Sequence, residues 1–181
     1  MFRSDVQSVT LGMHWSAFLT GLVHRKVWKA GEIALVFGMR KLHEWQGRPF
    51  VRDTPDRRAL DRDILPQLAA RAECRRVAFV GCDWYTRHYE QIFAGKEYWT
   101  IEKDPARARF GGPRHVTSDL ASLDAHFEPE SLDLIVCNGV LGWGLHEPAD
   151  IERSFSACAR ALRPGGVLVL GYNDVPEKMP V

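Results

Sequence analysis

Three short segments carry residue types whose order suggests chemistry. Val77-Ala78-Phe79-Val80 is an apolar run that ends in Gly81-Cys82-Asp83-Trp84-Tyr85. Tyr98-Trp99-Thr100-Ile101 is strand-like and ends in the carboxylate of Glu102. Leu162-Arg163-Pro164-Gly165-Gly166 closes a helical pattern and leads into the apolar run Val167-Leu168-Val169-Leu170. A strand, a glycine turn, a helix and a second strand tipped by an acid about twenty residues on is a layout that grips a ribose. Gly81 lets the backbone turn sharply and approach a ligand. Glu102 has two acceptor oxygens, enough for both ribose hydroxyls. Its alternative is a surface acid capping the next turn. Placed at a strand end beside solvent, it is expected to matter little for stability. Asp83 either offers its carboxylate to a ligand or caps a helix starting at Trp84.

The elements that must position these groups follow from the pattern. From Val77 onward strands alternate with helices, which argues for a mostly parallel sheet flanked by helices on both faces. The run at 77–80 is too apolar to be half-exposed and belongs at the sheet centre. A helix is expected from Trp84 to Ala94, stopped by Gly95, then strands at 98–101, 115–117 and 132–137. A helix over 149–162 presents Ile151, Phe155, Cys158 and Leu162 on one face, and 167–170 is the last strand. Upstream, Leu60, Ile64, Leu65 and Leu68 mark a helix bent at Pro66. Residues 48–57 are proline-punctuated and charged and read as a linker. Residues 1–47 have helical spacing, with Trp15, Phe18, Leu19, Leu22 and Val23 on one face and Ile33, Val36, Phe37 and Leu42 on another. Gly31 and Gly38 interrupt that pattern, which favours two helices over one. The organisation expected is a helical segment and linker over 1–57 and a sheet domain over 58–181.

Composition narrows the class. The chain has 181 residues, 45% of them hydrophobic, enough for one ordinary domain with an appendage. Its net charge is +1, from 24 basic and 23 acidic residues, and nothing in that balance demands a nucleic acid. Cys74, Cys82, Cys137 and Cys158 show no Cys-x-x-Cys spacing and read as reduced core residues, with no metal site expected. No secretory pattern opens the chain. The longest apolar stretch, Val9 to Val23, contains His14 and is shorter than the ~20 residues of a spanning helix. A soluble, cytoplasmic protein is expected.

Two motifs carry a family resemblance. Val140-Leu141-Gly142-Trp143-Gly144-Leu145 follows the fourth strand, and Leu162-Arg163-Pro164-Gly165-Gly166 ends the late helix. In their order and spacing, residues 77–171 resemble the class I S-adenosylmethionine-dependent methyltransferases. The likeness is greatest to the small-molecule branch, with Val-Leu-His-His-Leu and Leu-Lys-Pro-Gly-Gly at those places. The resemblance implies a Rossmann-like fold, S-adenosyl-L-methionine as cofactor and a small-molecule acceptor. It places Gly81, Cys82, Asp83, Tyr85, Glu102, Lys103, Asp119, Leu120, Asn138 and Gly139 around the cofactor. Asp119 would meet the adenine amino group, or else cap the helix that follows it. Asn138 and Gly139 would floor the methionine part. The N-terminal helices would fold over the site as a lid. Their basic clusters, His24-Arg25-Lys26 and Arg40-Lys41, alternatively suit a membrane surface.

Methyl transfer needs an aligned nucleophile more than a catalytic side chain. For a hydroxyl acceptor, His146 or His88 is the candidate general base. Each is otherwise a histidine with a local hydrogen bond. Trp143 and Trp84 flank the expected cleft and either stack on a flat acceptor or pack as core or lid. Asn138-Gly139-Val140-Leu141 differs from the Asn-Pro-Pro-aromatic run of base methyltransferases, so a nucleic-acid substrate is not expected.

Two departures stand against the family pattern. The glycine loop usually reads Gly-x-Gly-x-Gly, with an acid two residues before it. Here Phe79 takes the acid's place, and Asp83 and Tyr85 replace two glycines. Either the loop follows another path or the pocket is narrowed. The family sheet also usually gains two more strands, for which 172–181 is too short. That suggests a piece of a longer protein, a homodimer closed through the strand at 167–170, or a reduced member. A bare apolar edge invites pairing, so that strand is expected to be covered by the N-terminal helices or a second copy. A catalytically silent scaffold or partner subunit is the competing function. A nicotinamide-dependent oxidoreductase is disfavoured, since Gly-x-Gly-x-x-Gly is missing.

Overall fold

A computed structural model describes residues 31, 33–43, 45–46 and 54–172. The chain divides into two compact units, Met1–Arg48 and Pro49–Val181. In the first unit residues 33–43 are helical, and Gly38 lies inside the helix instead of breaking it. Ile33, Leu35, Phe37 and Leu42 are exposed on it. The cluster from Trp15 to Val23, the basic run at 24–26 and the residues after Tyr172 lie outside the described residues.

The second unit opens with α1 (Pro55–Arg58), so residues 55–57 are helical and not linker. Pro55 sits in the first turn, where an N–H would have no helical partner anyway. The helix widens to π geometry over Ala59–Ile64 and resumes as α2 (Leu65–Ala69). Pro66 has no N–H to give to the preceding turn. The wide turn before it, closed by the Leu65 N–H on the Leu60 carbonyl, is where the chain accommodates it.

Five parallel strands follow. They are β1 (Arg76–Val80), β2 (Glu97–Glu102), β3 (Arg114–Thr117), β4 (Leu132–Asn138) and β5 (Leu162–Gly171). Their order is β3-β2-β1-β4-β5, so β1 is central, as its sequence requires. Alternate residues feed two cores. Ala78, Val80, Ile101 and Ile135 meet Leu123, Phe127, Ala157 and Cys158 on one face. Val77, Phe79, Tyr98 and Leu134 meet Leu65, Leu68, Tyr89 and Phe93 on the other. All four cysteines are buried free thiols, and burial pushes Cys82, Cys137 and Cys158 up to about 12. They stay protonated and packed.

Several elements differ from the sequence reading. The helix expected from Trp84 shrinks to α3 (Tyr89–Ile92). The Thr86 hydroxyl accepts from the Asp83 N–H at 3.0 Å and donates to the Asp83 carbonyl at 2.9 Å, which locks a turn in place of a helical start. In α4 (Pro148–Ala161) the buried residues are Ser154, Ala157, Cys158 and Ala161; of the face expected, Cys158 is fully buried, Ile151 and Leu162 pack partly buried against the core, and Phe155 is half-buried. Small side chains let the helix lie close on the sheet. Leu162 already belongs to β5 and pairs with Leu132, while Leu134 pairs with Val167. The Pro-Gly-Gly turn is thus a bulge inside a strand, with Gly165 at φ +77. Among the described residues β5 is a sheet edge, with Val167, Leu168 and Val169 half-buried and Leu170 exposed.

Asp133 ties the foot of the sheet together. Its carboxylate accepts the Arg75 N–H at 2.8 Å, the Arg76 N–H at 2.7 Å and Arg163 Nε at 2.5 Å. Burial works against its charge, yet these hydrogen bonds hold the carboxyl below its ordinary 3.8. A lowered folded value means stabilisation that is complete above the unfolded value and lost as pH falls through the folded one. We predict that the wild type loses stability faster than Asp133→Asn as pH drops from about 4 toward 2. Urea denaturation at stepped pH reads this. Parallel curves for the two proteins would refute it.

Candidate cofactor site

In an open parallel sheet a ligand binds beyond the carboxyl ends of the strands where their order reverses. Here that point lies between β1 and β4, and a cleft of about 210 Å³ opens there. It is lined by Gly81, Cys82, Asp83 and Tyr85 after β1, and by Glu102 and Lys103 at the end of β2. Asp119 and Leu120 after β3 and Asn138 and Gly139 at the end of β4 complete the wall. Every ligand contact expected from the sequence therefore faces one space.

The glycine loop holds its path through a few strong contacts. Gly81 has φ +91, and an added Cβ would meet Val140 Cγ2 at 3.0 Å. Only glycine fits without strain. Glu102 is 8% exposed, which corrects its placement beside solvent. Its Oε2 accepts the Cys82 N–H at 2.9 Å and its Oε1 accepts the Asp104 N–H at 2.9 Å. The carboxylate thus braces both loops around the cleft. With about four lone-pair directions on two oxygens, it keeps acceptor capacity for a ligand.

The other acids are also committed in part. Asp83 Oδ1 accepts the Trp84 N–H at 2.7 Å, and Arg107 Nη1 lies 3.3 Å from Oδ2, across the cleft. Asp119 accepts the Ser122 N–H at 2.9 Å and caps the 3-10 turn Leu120–Ala125. That cap was one of its two readings, and its place in the cleft lining keeps the other open. Lys103 Nζ donates to the Gly144 carbonyl at 3.0 Å and spans the same mouth.

Tyr85 does not fill the space. Its ring sits 4.6 Å from the Arg57 guanidinium carbon and packs edge-on against Trp84 at 5.0 Å. Trp84 is absent from the cleft lining, whereas Trp143 is part of it. Neither histidine lines the cleft. His146 is exposed beyond the β4 loop, and His88 Nε2 lies 3.1 Å from the largely buried Asp61.

Lining residues outside the expected set include the polar Asp104, Arg107 and Ser118, and Gly144. Arg57, buried behind Tyr85 and bonded to the Tyr89 hydroxyl at 3.0 Å, also escaped the sequence reading. Its signal was Pro55 as a helix start inside a stretch taken for linker. Among the described residues no cluster of histidine, cysteine or carboxylate side chains suits a metal ion, and no helix is long and apolar enough to cross a membrane.

A family model described as a methyltransferase domain matches residues 80–170. The chain belongs to this methyltransferase family. S-Adenosylmethionine is the cofactor that membership implies. The fold is similar to that of a sugar N-methyltransferase from Streptoalloteichus, at 18% identity and TM-score 0.52, over 97% of this chain and 60% of that one. It is also similar to a Pyrococcus horikoshii protein, at 17% identity and TM-score 0.51, over 67% of this chain and 60% of that one. An S-adenosylmethionine-dependent methyltransferase from Archaeoglobus fulgidus matches at 19% identity and TM-score 0.48, over 61% of this chain and 49% of that one. The chain spans about 49–60% of the length of those structures. No curated protein matches it in sequence.

The residues fit the cofactor. Gly81 leaves a cradle that a Cβ would fill, Glu102 presents a braced acceptor, and Asp83 and Asp119 put carboxylates toward either end.

Proposed function

We propose that this protein transfers a methyl group from S-adenosylmethionine to a small molecule. The observation that carries the reading is the braced carboxylate of Glu102, set at the switch point among all the other expected contacts. When bound, the cofactor supplies a methyl carbon on a sulfonium, which the acceptor atom attacks as the carbon–sulfur bond breaks and sulfur keeps the electron pair. Glu102 orients the ribose, Asp119 the adenine and Asp83 the ammonium. The Val140–Gly144 loop walls the side from which an acceptor comes. Among the described residues no histidine lines the cleft, and in this reading alignment of the acceptor carries more of the rate than proton abstraction. His146 and His88 are not assigned a role.

Titration calorimetry with S-adenosylhomocysteine tests the cofactor site, and binding is the expected result. No heat at millimolar ligand would overturn it. A second reading, a catalytically silent methyltransferase-like partner subunit, draws on Phe79, Asp83 and Tyr85 in the altered glycine loop. Loss of bound cofactor methyl to acceptors in a small-molecule extract would exclude it. The proposal also keeps a cytoplasmic location and a homodimer paired through the β5 edge.

A further inference from the structure

The carboxylate assigned to the ligand's ammonium already has a cation beside it. Asp83 stands in the turn after β1, where its N–H donates to Thr86 Oγ1 at 3.0 Å and its Oδ1 accepts the Trp84 N–H at 2.7 Å. These two bonds set the direction of the side chain. The other oxygen, Oδ2, lies 3.3 Å from Arg107 Nη1. Arg107 belongs to the 3-10 turn Pro105–Phe110 that follows β2, so the pair joins two loops that wall the cleft.

Arg107 has a second carboxylate within reach. Its Nε lies 3.7 Å from Asp104 Oδ2, three residues back on the same turn. Asp104 is itself anchored there. Its Oδ1 accepts the Ala106 N–H at 2.9 Å, and its own N–H donates to Glu102 Oε1 at 2.9 Å. The guanidinium thus stands between two acids, one on its own turn and one across the cleft. The Arg107 side chain is half exposed, whereas that of Asp83 is only 22% exposed. An ion pair with one such exposed member is weak, and the long arginine can turn toward Asp104 and water at small cost. While it stays at Asp83, an ammonium brought to the same carboxylate meets a like charge. Like charges a few ångströms apart repel even in water.

We propose that Arg107 is an internal competitor for Asp83. It occupies the carboxylate in the free protein, yields it to the ammonium of the ligand's amino-acid end, and falls back on Asp104. Arg107 therefore sets the affinity for that end of the ligand and leaves the adenosine end alone. This rests on the methyl-donor reading, which brings the ammonium to Asp83.

Calorimetry on the full chain with two ligands tests the competition. S-Adenosylhomocysteine carries the amino-acid end, and 5′-methylthioadenosine has the adenosine without it. Arg107→Gln is expected to bind S-adenosylhomocysteine about fivefold more tightly than wild type, whereas loss of a direct ligand contact would weaken it. The two proteins should bind 5′-methylthioadenosine within about twofold of each other. In an Asp83→Asn background, Arg107→Gln should change S-adenosylhomocysteine affinity by less than about twofold, because the contested charge is gone. The urea midpoint of Arg107→Gln should stay close to that of wild type, since the pair is exposed on the arginine side. Weaker or unchanged binding of S-adenosylhomocysteine by Arg107→Gln overturns the proposal. So does an equal gain for both ligands, which would make Arg107 a mere obstruction, or a gain that persists without the Asp83 charge. In each of these cases the wild type still binds, and the methyl-donor reading stands. If wild type and variants bind neither ligand, that reading falls and the competition falls with it.

Discussion

Glu102→Ala will lower both the stability of the protein and its affinity for the cofactor. The two effects have separate causes. Removing the carboxylate leaves the Cys82 and Asp104 N–H groups without an acceptor, one of them in a residue that is 1% exposed. An orphaned buried donor costs about 1–3 kcal/mol, so the urea midpoint must fall. The same change removes the partner of the ribose hydroxyls, worth about another 1–3 kcal/mol of binding, or roughly 10–100-fold in dissociation constant. Glu102→Gln is a sharper probe. An amide has one acceptor oxygen, yet two backbone donors converge on this group. One donor would face an NH2, so glutamine should also be less stable than wild type, although it is nearly isosteric. Calorimetry with S-adenosylhomocysteine, at a temperature where each variant is folded, reads the binding effect. A glutamine variant as stable as wild type would mean that the brace does not form. An unchanged dissociation constant in the alanine variant would move the cofactor elsewhere.

The brace also shows what a sequence can and cannot convey. The strand–turn–strand–acid order located Glu102 because apolar runs and glycine turns are local signals. The lining of the cleft was legible for the same reason, since the residues picked out follow directly on strand ends and the topology brings all strand ends together. The burial of Glu102 was not legible. It depends on Cys82 and Asp104 folding back over the carboxylate, which no spacing rule encodes. The short α3 was missed because Thr86 captures both Asp83 backbone groups, a side-chain effect that overrides helix-like periodicity. The buried face of α4 was legible in part: Cys158 is buried and Ile151 and Leu162 pack against the core, but the periodicity of large apolar residues passed over Ser154, Ala157 and Ala161, which are buried as well. Arg57 was lost in a segment whose prolines and charges read as linker, although Pro55 is a good first residue for a helix.

Arg57 carries the second large prediction. Arg57 is buried, stacks under Tyr85 and bonds the Tyr89 hydroxyl. Asp56 feels its charge and Asp61 meets the same hydroxyl, yet among the described residues no carboxylate forms an ion pair with it. A buried cation without a direct ion pair is stabilised further when a ligand supplies an anion. Its Nη2 lies 4.0 Å from where a Cβ on Gly139 would be, and Gly139 lines the cleft. With φ +72 and no side chain, Gly139 leaves an opening between the guanidinium and the end of the site beside Asn138. We predict that the anion met there is the methionine carboxylate of the cofactor. Arg57→Met keeps the packing of the long stem and removes the charge. It should change the stability of the ligand-free protein by less than about 1 kcal/mol, since a lost hydrogen bond and stacking contact offset relief from a buried charge. Affinity for S-adenosylhomocysteine should fall about 10–100-fold, the worth of a hydrogen bond to a charged group. Decarboxylated S-adenosylhomocysteine supplies the complementary test. It should bind wild type and Arg57→Met equally, because the group that Arg57 recognises is gone from the ligand. If the variant weakens both ligands alike, Arg57 merely supports Tyr85, and the carboxylate is held by another residue.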